Sequence, residues 1–429
     1  MEKVSPLLES LFAIAKESQR DPLQEEAWNR FLAQGLPTKE ETFRYVSFHE
    51  FLQMPFSKSR VFLETSKESP APIPKRETPC FTFVNGRLDL SLSHVEEIPK
   101  GIVFCTLKEA MRLYSSLLKG RFAKFMQEQR HAFSFLNYAL FEEGFFLYIP
   151  PKMKLSTPIE IRELYSGSQP EMYFPKMSIY IGKEAQVKFK HSVSSGESPH
   201  FINGFREFHL EQGASCKVEQ SVMEATPCFY FDQTAAYLKR DAHFSYIGGD
   251  RGGKVLRQEF NIDLLEDNAE AYLKGLSLVY KKDESHHQVL IRHLAPNCRS
   301  HQHFKALIVD KAKGSFEGKI FVDQVAQHTE AYQLSNYLLL GERATGYSKP
   351  NLEIFADEVK ASHGATIAQL KEEELFYLRA RGVSRAHAKQ LLIKGFCQEL
   401  IQEMDVSTQE AMSAVLEEIL QHYEGILGS

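Results

Sequence analysis

Little in this sequence would suit export, membrane insertion or nucleic-acid binding. Six cysteines are scattered over 429 residues, as Cys80, Cys105, Cys216, Cys228, Cys298 and Cys397, and no two form a C-x-x-C pair. In a long chain whose N-terminus does not read as an export signal, that scatter points to reduced thiols in a cytoplasm. The first residues, "MEKVSPLLESLFAIAKESQRD", have no basic start followed by an unbroken apolar stretch and carry Glu9 within the apolar pattern. No apolar run approaches the roughly 20 residues that span a bilayer, so no membrane role is expected. Acidic and basic residues are interleaved and the net charge is -5, which lacks the concentrated basic face of a nucleic-acid binder. No G-x-x-x-x-G-K-[ST] loop is present, which excludes nucleotide binding through a P-loop.

What is present is an ordinary core-forming composition, 43% hydrophobic and 25% charged, in a chain longer than one core usually spans. Three regions follow. Residues 1–144 read as mostly helical. Ser5 caps and Pro6 opens a helix carrying Val4, Leu7, Leu8, Leu11 and Ala15, and a second helix runs from about Pro22 to Gly35. A polar, proline-bearing segment, Ser66 to Pro79, precedes "FTFVNGRLDLSL", which alternates like a strand around an Asn-Gly turn. "SLLKGRFAKFMQEQRHAFSFLNYALFEEG" returns to helical spacing.

Residues 145–360 switch to short alternating strands with an internal repeat. Ala185, Ala214, Ala242 and Ala269 each follow a polar turn and precede a strand, at intervals of 29, 28 and 27 residues. Ala312 and Ala344 are weaker echoes. A constant period with changing sequence is what a solenoid produces, because each coil packs only on its neighbours. About three strands of 5 or 6 residues would fill one coil. The fold class expected is therefore mainly β, a right-handed parallel β-helix flanked by N-terminal and C-terminal helical domains. An antiparallel sandwich of regular hairpins is the alternative.

Residues 361–429 are helical again. "LKEEELFYLRARG" closes at Gly382. Ser384 caps a helix whose face is Ala388, Leu391, Leu392, Gly395, Phe396 and Leu400, and Ser407 with Glu410 fits a capping box before Met412, Val415, Leu416, Ile419, Leu420 and Tyr423.

Four features are candidates for chemistry. His286, His287, His293, Cys298, His301 and His303 crowd one stretch and suggest a self-sufficient metal site, with His301 and His303 on one face at strand spacing, although no second ligand pair has an established metal spacing; solvated or hydrogen-bonded histidines on a β-helix face are the plainer reading. Asp263, Glu266, Asp267 and Asp310 suggest the paired carboxylates of a sugar-cleaving β-helix enzyme, or simply polar turns. The "GGDRGG" run, Gly248 to Gly253, reads as a flexible turn between coils. His363 sits among Ala361, Ser362, Gly364, Ala365 and Thr366, small residues that let a second backbone or a ligand approach.

"FEGKIFVDQVAQHTEAYQLSNYLLL", continuing into "KPNLEIFADEVKASHGATIAQLKEEELFYLRARGVSRAHAKQLLIKGF", resembles the signature region of the SufD family, components of the machinery that assembles iron–sulfur clusters. The similarity is strongest from about Ile291 to Phe396, and "GLPTKEETFRY" is a looser echo. Related SufB subunits usually carry glutamate after the histidine, where this chain has Gly364. The resemblance implies a non-catalytic scaffold that pairs with a SufB-like subunit along the β-helix and docks a SufC-like ABC ATPase on its C-terminal helices. The scaffold reading predicts an exposed strand edge, and without SufB a second copy of the chain is expected to pair there as a stand-in homodimer. His363 matches the family histidine at the SufB–SufD interface, where it would be a cluster-assembly residue and a metal ligand together with ligands from SufB. The chain alone is expected to bind no cofactor stably, a transient iron–sulfur cluster being held at the shared interface, because clusters are held mainly by cysteine thiolates. Ala361 stands where many relatives have cysteine, so no thiolate comes from that position. Phe43 and Tyr45 depart from the family pattern, and no function is carried onto them.

Overall fold

The structure, a computed structural model, describes residues 5–37, 40–58, 78–115, 118, 120, 125, 131–196, 198–223 and 228–427. Its centre is a parallel β-solenoid. Successive strands alternate between two sheets, with 11 and 10 strands among the described residues. Each strand pairs with the equivalent strand one coil later: His200–Leu210 lies in register with Cys228–Leu238 from His200↔Cys228 to Leu210↔Leu238.

Each coil holds two long strands, where three short ones were expected. His200–Leu210 has 11 residues, Ser215–Val222 has 8 and Thr329–Leu340 has 12. The polar punctuation that would mark a mid-coil corner is missing because His200–Leu210 and Cys228–Leu238 are buried at every position, on both faces. Burial on both faces erases the alternation by which strand limits are read.

The repeated alanines form the corners. Ala185, Ala214, Ala242 and Ala269 are fully buried and each directly precedes a strand of the second sheet. Each follows a residue with left-handed φ: Glu184 at 59°, Gly213 at 67°, Asp241 at 58° and Asn268 at 59°. The left-handed residue turns the chain and the small side chain stacks inside the corner. Cys298, after Asn297 at φ 59°, takes the next step of that ladder. Ala312 and Ala344 precede strands of the other sheet, Lys313–Val322 and Thr345–Ile354, so these echoes mark the opposite corner.

Helical layers cover the outer faces. Ser5 Oγ accepts from Leu8 N at 3.4 Å to start the helix Pro6–Glu17, and Pro22–Gln34 ends at Gly35 with φ 71°. With Ala132–Leu140 these pack an aromatic-rich core, including Phe31, Phe51 and Phe133, onto the first sheet at Phe201, Phe229 and Phe231. Burying each such ring is worth about 1.5–3 kcal/mol. The linker residues 66–77 and most of 116–130 lie outside the described residues. Asn85 and Gly86 form the expected hairpin turn, but the region is less purely helical than expected: Cys80–Val84 joins the second sheet beside Ile159–Tyr165, and Val103–Thr106 joins the first beside Phe145–Ile149.

At the other end the last strand is Val359–Ala368, and helices begin at Glu372. His363 therefore belongs to the solenoid, beyond whose expected limit of 360 the strand continues. Arg385–Ile401 and Val406–Leu427 pack on the outer face of the second sheet through Ile393, Cys397, Leu400, Met412, Leu416 and Ile419, against Ile247, Leu276, Leu278 and Leu307. The buried face of Arg385–Ile401 is Ala388, Ile393, Cys397, Leu400 and Ile401, with Leu391 and Gly395 outside it, and this helix packs on both the sheet and its neighbouring helix. Asp405, not Ser407, caps the last helix: its Oδ1 accepts from Thr408 N at 3.0 Å, and Ser407 donates to it. Gly248 and Gly249 lie within the strand His243–Asp250, so only the second half of the glycine-rich run forms the expected turn, with Gly252 at φ 72°.

Candidate functional site: the open end of the solenoid

The two sheets end side by side in Thr345–Ile354 and Val359–Ala368, each paired on one edge only among the described residues. Their outer edges present main-chain N–H and C=O groups that are satisfied by water or by another strand. The terminal strand is tied back to the coil beneath it by Asn336 Nδ2 donating to Thr366 Oγ1 at 2.7 Å and by Lys360 Nζ with Glu330 Oε1 at 2.9 Å.

The alternation of Val359–Ala368 decides where His363 points. Its ladder partner is Gln333, and Ala361 and Ala365 pair with Ala331 and Ser335. Gln333, Ala331 and Ser335 are all buried inside the solenoid. His363 is thus on the inward-facing row and is exposed because the stack of coils stops there. Ala361, two residues earlier on the same row, packs with Ile320, Val322, Ala331 and Ala356. Exposed apolar side chains ring this end: Phe355 at 56%, Ile367 at 45%, Tyr347 at 39% and Leu334 at 36%. Sequence reading missed this rim, because Leu334, Tyr347 and Ile367 lie on three different strands and Phe355 in the loop after the second of them, and only the strand pairing brings those segments to one end.

A second exposed apolar group lies on the C-terminal helices. Phe376 is 72%, Tyr377 57% and Leu391 42% exposed.

The histidine-rich stretch does not converge. His286 shares Ser315 at 2.8 Å and Glu284 at 3.1 Å, His287 meets Gln258 at 3.0 Å, His293 meets Ser300 at 2.8 Å and His303 meets Asn336 at 3.1 Å. Burial pushes His287 and His293 down to about 3, so both rings are neutral at pH 7. His301 and His303 share the outward face of Arg299–Val309, but no group of three or more His, Cys, Asp or Glu side chains able to hold a metal forms among the described residues. Cys298 is buried, its thiol pushed up to about 11, and Cys397 is likewise buried and pushed up to about 12. Neither is a ready thiolate.

The acidic residues are dispersed too. Asp263 is a strand residue clamped by Arg292 through two bonds, 2.6 and 2.9 Å, while Glu266 accepts from Arg240 N at 3.0 Å. Asp310 turns a corner at φ 65°. The densest buried charge cluster is Glu163, His191, Arg206 and Asp232. Arg206 bonds Glu163 at 2.6 Å, His191 bonds Glu163 at 2.9 Å, and Arg206 also pairs with Asp232. The single Arg206 guanidinium offsets the two carboxylates only in part, burial disfavours protonation of His191, and the cluster is closed off from solvent.

Comparison with known families places the geometry. Residues 164–396 match the family described as "SUF system FeS cluster assembly, SufBD core domain", and residues 13–161 match the SufBD protein N-terminal region. An iron–sulfur cluster assembly SufBD family protein of Synechocystis is 26% identical over 387 residues, covering 87% of this chain and 85% of the relative. SufD of Escherichia coli is 25% identical over 396 residues, covering 91% and 90%. SufB of Bacillus subtilis is 22% identical over 322 residues, covering 74% and 68%.

Proposed function

This chain belongs to the SufBD family of iron–sulfur cluster assembly proteins and is SufD-like, and from that premise we propose that it is a non-catalytic scaffold whose open solenoid end pairs with a SufB-type subunit. The observation that carries this is the unpaired double edge with His363 at its mouth and an apolar rim around it. Strand addition there continues both sheets, satisfies the free main-chain groups and covers Phe355 and Ile367. When the chain is isolated, a second copy serves the same edge, giving a homodimer.

His363 then becomes an interfacial ligand for a transient cluster, with thiolate and carboxylate ligands from the SufB-type partner, because one imidazole without a nearby cysteine cannot retain a cluster. The exposed Phe376, Tyr377 and Leu391 suit docking of a SufC-type ATPase, and movement of the helices on the second sheet would carry its nucleotide cycle to the shared end. The setting is cytoplasmic; among the described residues, no helix is long and apolar enough to cross a membrane.

Paired substitution of the rim, Phe355→Glu with Ile367→Glu, tests the pairing. Co-purification with the SufB-type partner should be lost while the thermal unfolding of the solenoid is kept. Undiminished complex formation would refute the edge as the interface.

A further inference from the structure

One interior ladder of the second sheet runs Tyr246, Leu273, Gln302, Gln333, His363 at successive coils. Its first members are apolar or aromatic core. The last two before His363 are amides, Gln302 at 0% and Gln333 at 2% exposure. Gln333 Nε2 donates to Gln302 Oε1 at 2.9 Å, which ties one of its two N–H groups to the coil beneath. Gln333 Oε1 is buried and has no hydrogen-bond partner among the described residues. A buried amide oxygen left in that state is a strong, open acceptor.

The opposite sheet makes room for this amide. At Gly318, on Lys313–Val322, a Cβ would come 2.6 Å from Gln333 Cδ and 2.8 Å from Phe316 Cε1, so a larger residue would force the amide to shift. The amide is therefore seated in a built slot. In a parallel ladder the next residue lies about 4.8 Å away, and across that step stands His363. The Gln302–Gln333 bond shows that polar side chains at this spacing in this ladder do join.

We propose that Gln333 is a positioning residue for His363: its Oε1 accepts one ring N–H of the imidazole and leaves the other ring nitrogen directed out of the solenoid mouth. An imidazole has one donor and one acceptor nitrogen when neutral, and the hydrogen bond made by one decides which is free to bind a metal or take a proton. Such partners also fix the ring's orientation before a metal arrives. This deepens, and rests on, the reading of His363 as an interfacial ligand. The ring bond itself concerns only this chain's residues.

The test is ring nitrogen NMR on the full-length chain labelled with 15N-histidine, alone and bound to the SufB-type partner. The readout is the ratio of the two neutral tautomers of His363. Gln333→Met removes the acceptor at similar volume and should lower the major-to-minor ratio about fivefold, the size of one ordinary hydrogen bond. Gln333→Glu keeps an acceptor and should retain the wild-type preference. Gly318→Ala, whose added methyl crowds the amide and the buried Phe316 ring, should reproduce the loss while the thermal unfolding of the solenoid is kept. An unchanged ratio in Gln333→Met, free and bound, overturns the proposal. If the ratio falls but His363→Ala complexes still build clusters normally, the positioning stands and only the ligand reading fails.

Discussion

Tyr45 lies flat on Tyr347, ring centroids 4.2 Å apart and planes inclined by 17°. Glu41, four residues earlier, pairs with Lys349. The N-terminal segment thus reaches across the first sheet and holds the last coil, the same strand whose free edge forms the candidate interface. Tyr45→Ala should cost about 1 kcal/mol. Amide hydrogen exchange in Thr345–Ile354 should quicken relative to Lys313–Val322; equal protection in the variant would show that the clasp does not stiffen the edge.

Gly249 lets the C-terminal helices sit on the second sheet. A Cβ there would come 2.6 Å from Met412 Sδ. Gly249→Val should lift Val406–Leu427 from Ile247 and Leu276, raise proteolysis after Met404, and weaken binding of a SufC-type ATPase at least tenfold, with the solenoid still folded. Unaltered ATPase binding with displaced helices would place the docking site elsewhere.

Arg206 compensates two buried carboxylates, Glu163 and Asp232. Burial opposes ionisation of Glu163, but the Arg206 guanidinium together with the hydrogen bonds from His191 and Tyr165 outweighs it and holds that carboxyl well below the usual range. Arg206→Met leaves both carboxylates uncompensated and should destabilise the solenoid by about 3–5 kcal/mol, read as a lowered denaturant midpoint. A loss under about 1 kcal/mol would mean that the cluster relaxes or takes up protons.

Glu317 gives a pH dependence. Burial raises its carboxyl to about 7, against partial relief from Arg257 and Lys349. Because the folded state holds this proton more tightly than the unfolded state, the associated stability is complete below about 4.5 and is lost as pH rises through about 7. Glu317→Gln should therefore gain stability over the wild type on going from pH 5 to pH 8, by up to about 3 kcal/mol. A pH-independent difference would show that Glu317 titrates normally.

Much of this was legible from the residues. Ser5, Pro6 and Gly35 act locally, through caps and φ preferences, and they stand where expected. The spacing of Ala185, Ala214, Ala242 and Ala269 gave away the solenoid because each coil must place a small residue after its left-handed corner. The ladder continued through Cys298, hidden by a change of residue type that keeps the small volume. The number of strands per coil was not legible, since outer layers bury both faces of His200–Leu210. His363 could be singled out by its neighbours, but its inward direction follows from pairing with Gln333, some 30 residues away, and no local pattern carries that register.

The most direct measurement is anaerobic cluster reconstitution, with iron and sulfide quantified, on this chain alone and on its complex with SufB-type and SufC-type partners, each with and without His363→Ala. An interfacial ligand at His363 requires that only the complex gain cluster and that the substitution diminish it. Equal cluster content in the wild-type and His363→Ala complexes would contradict that role and leave His363 a part of the architecture.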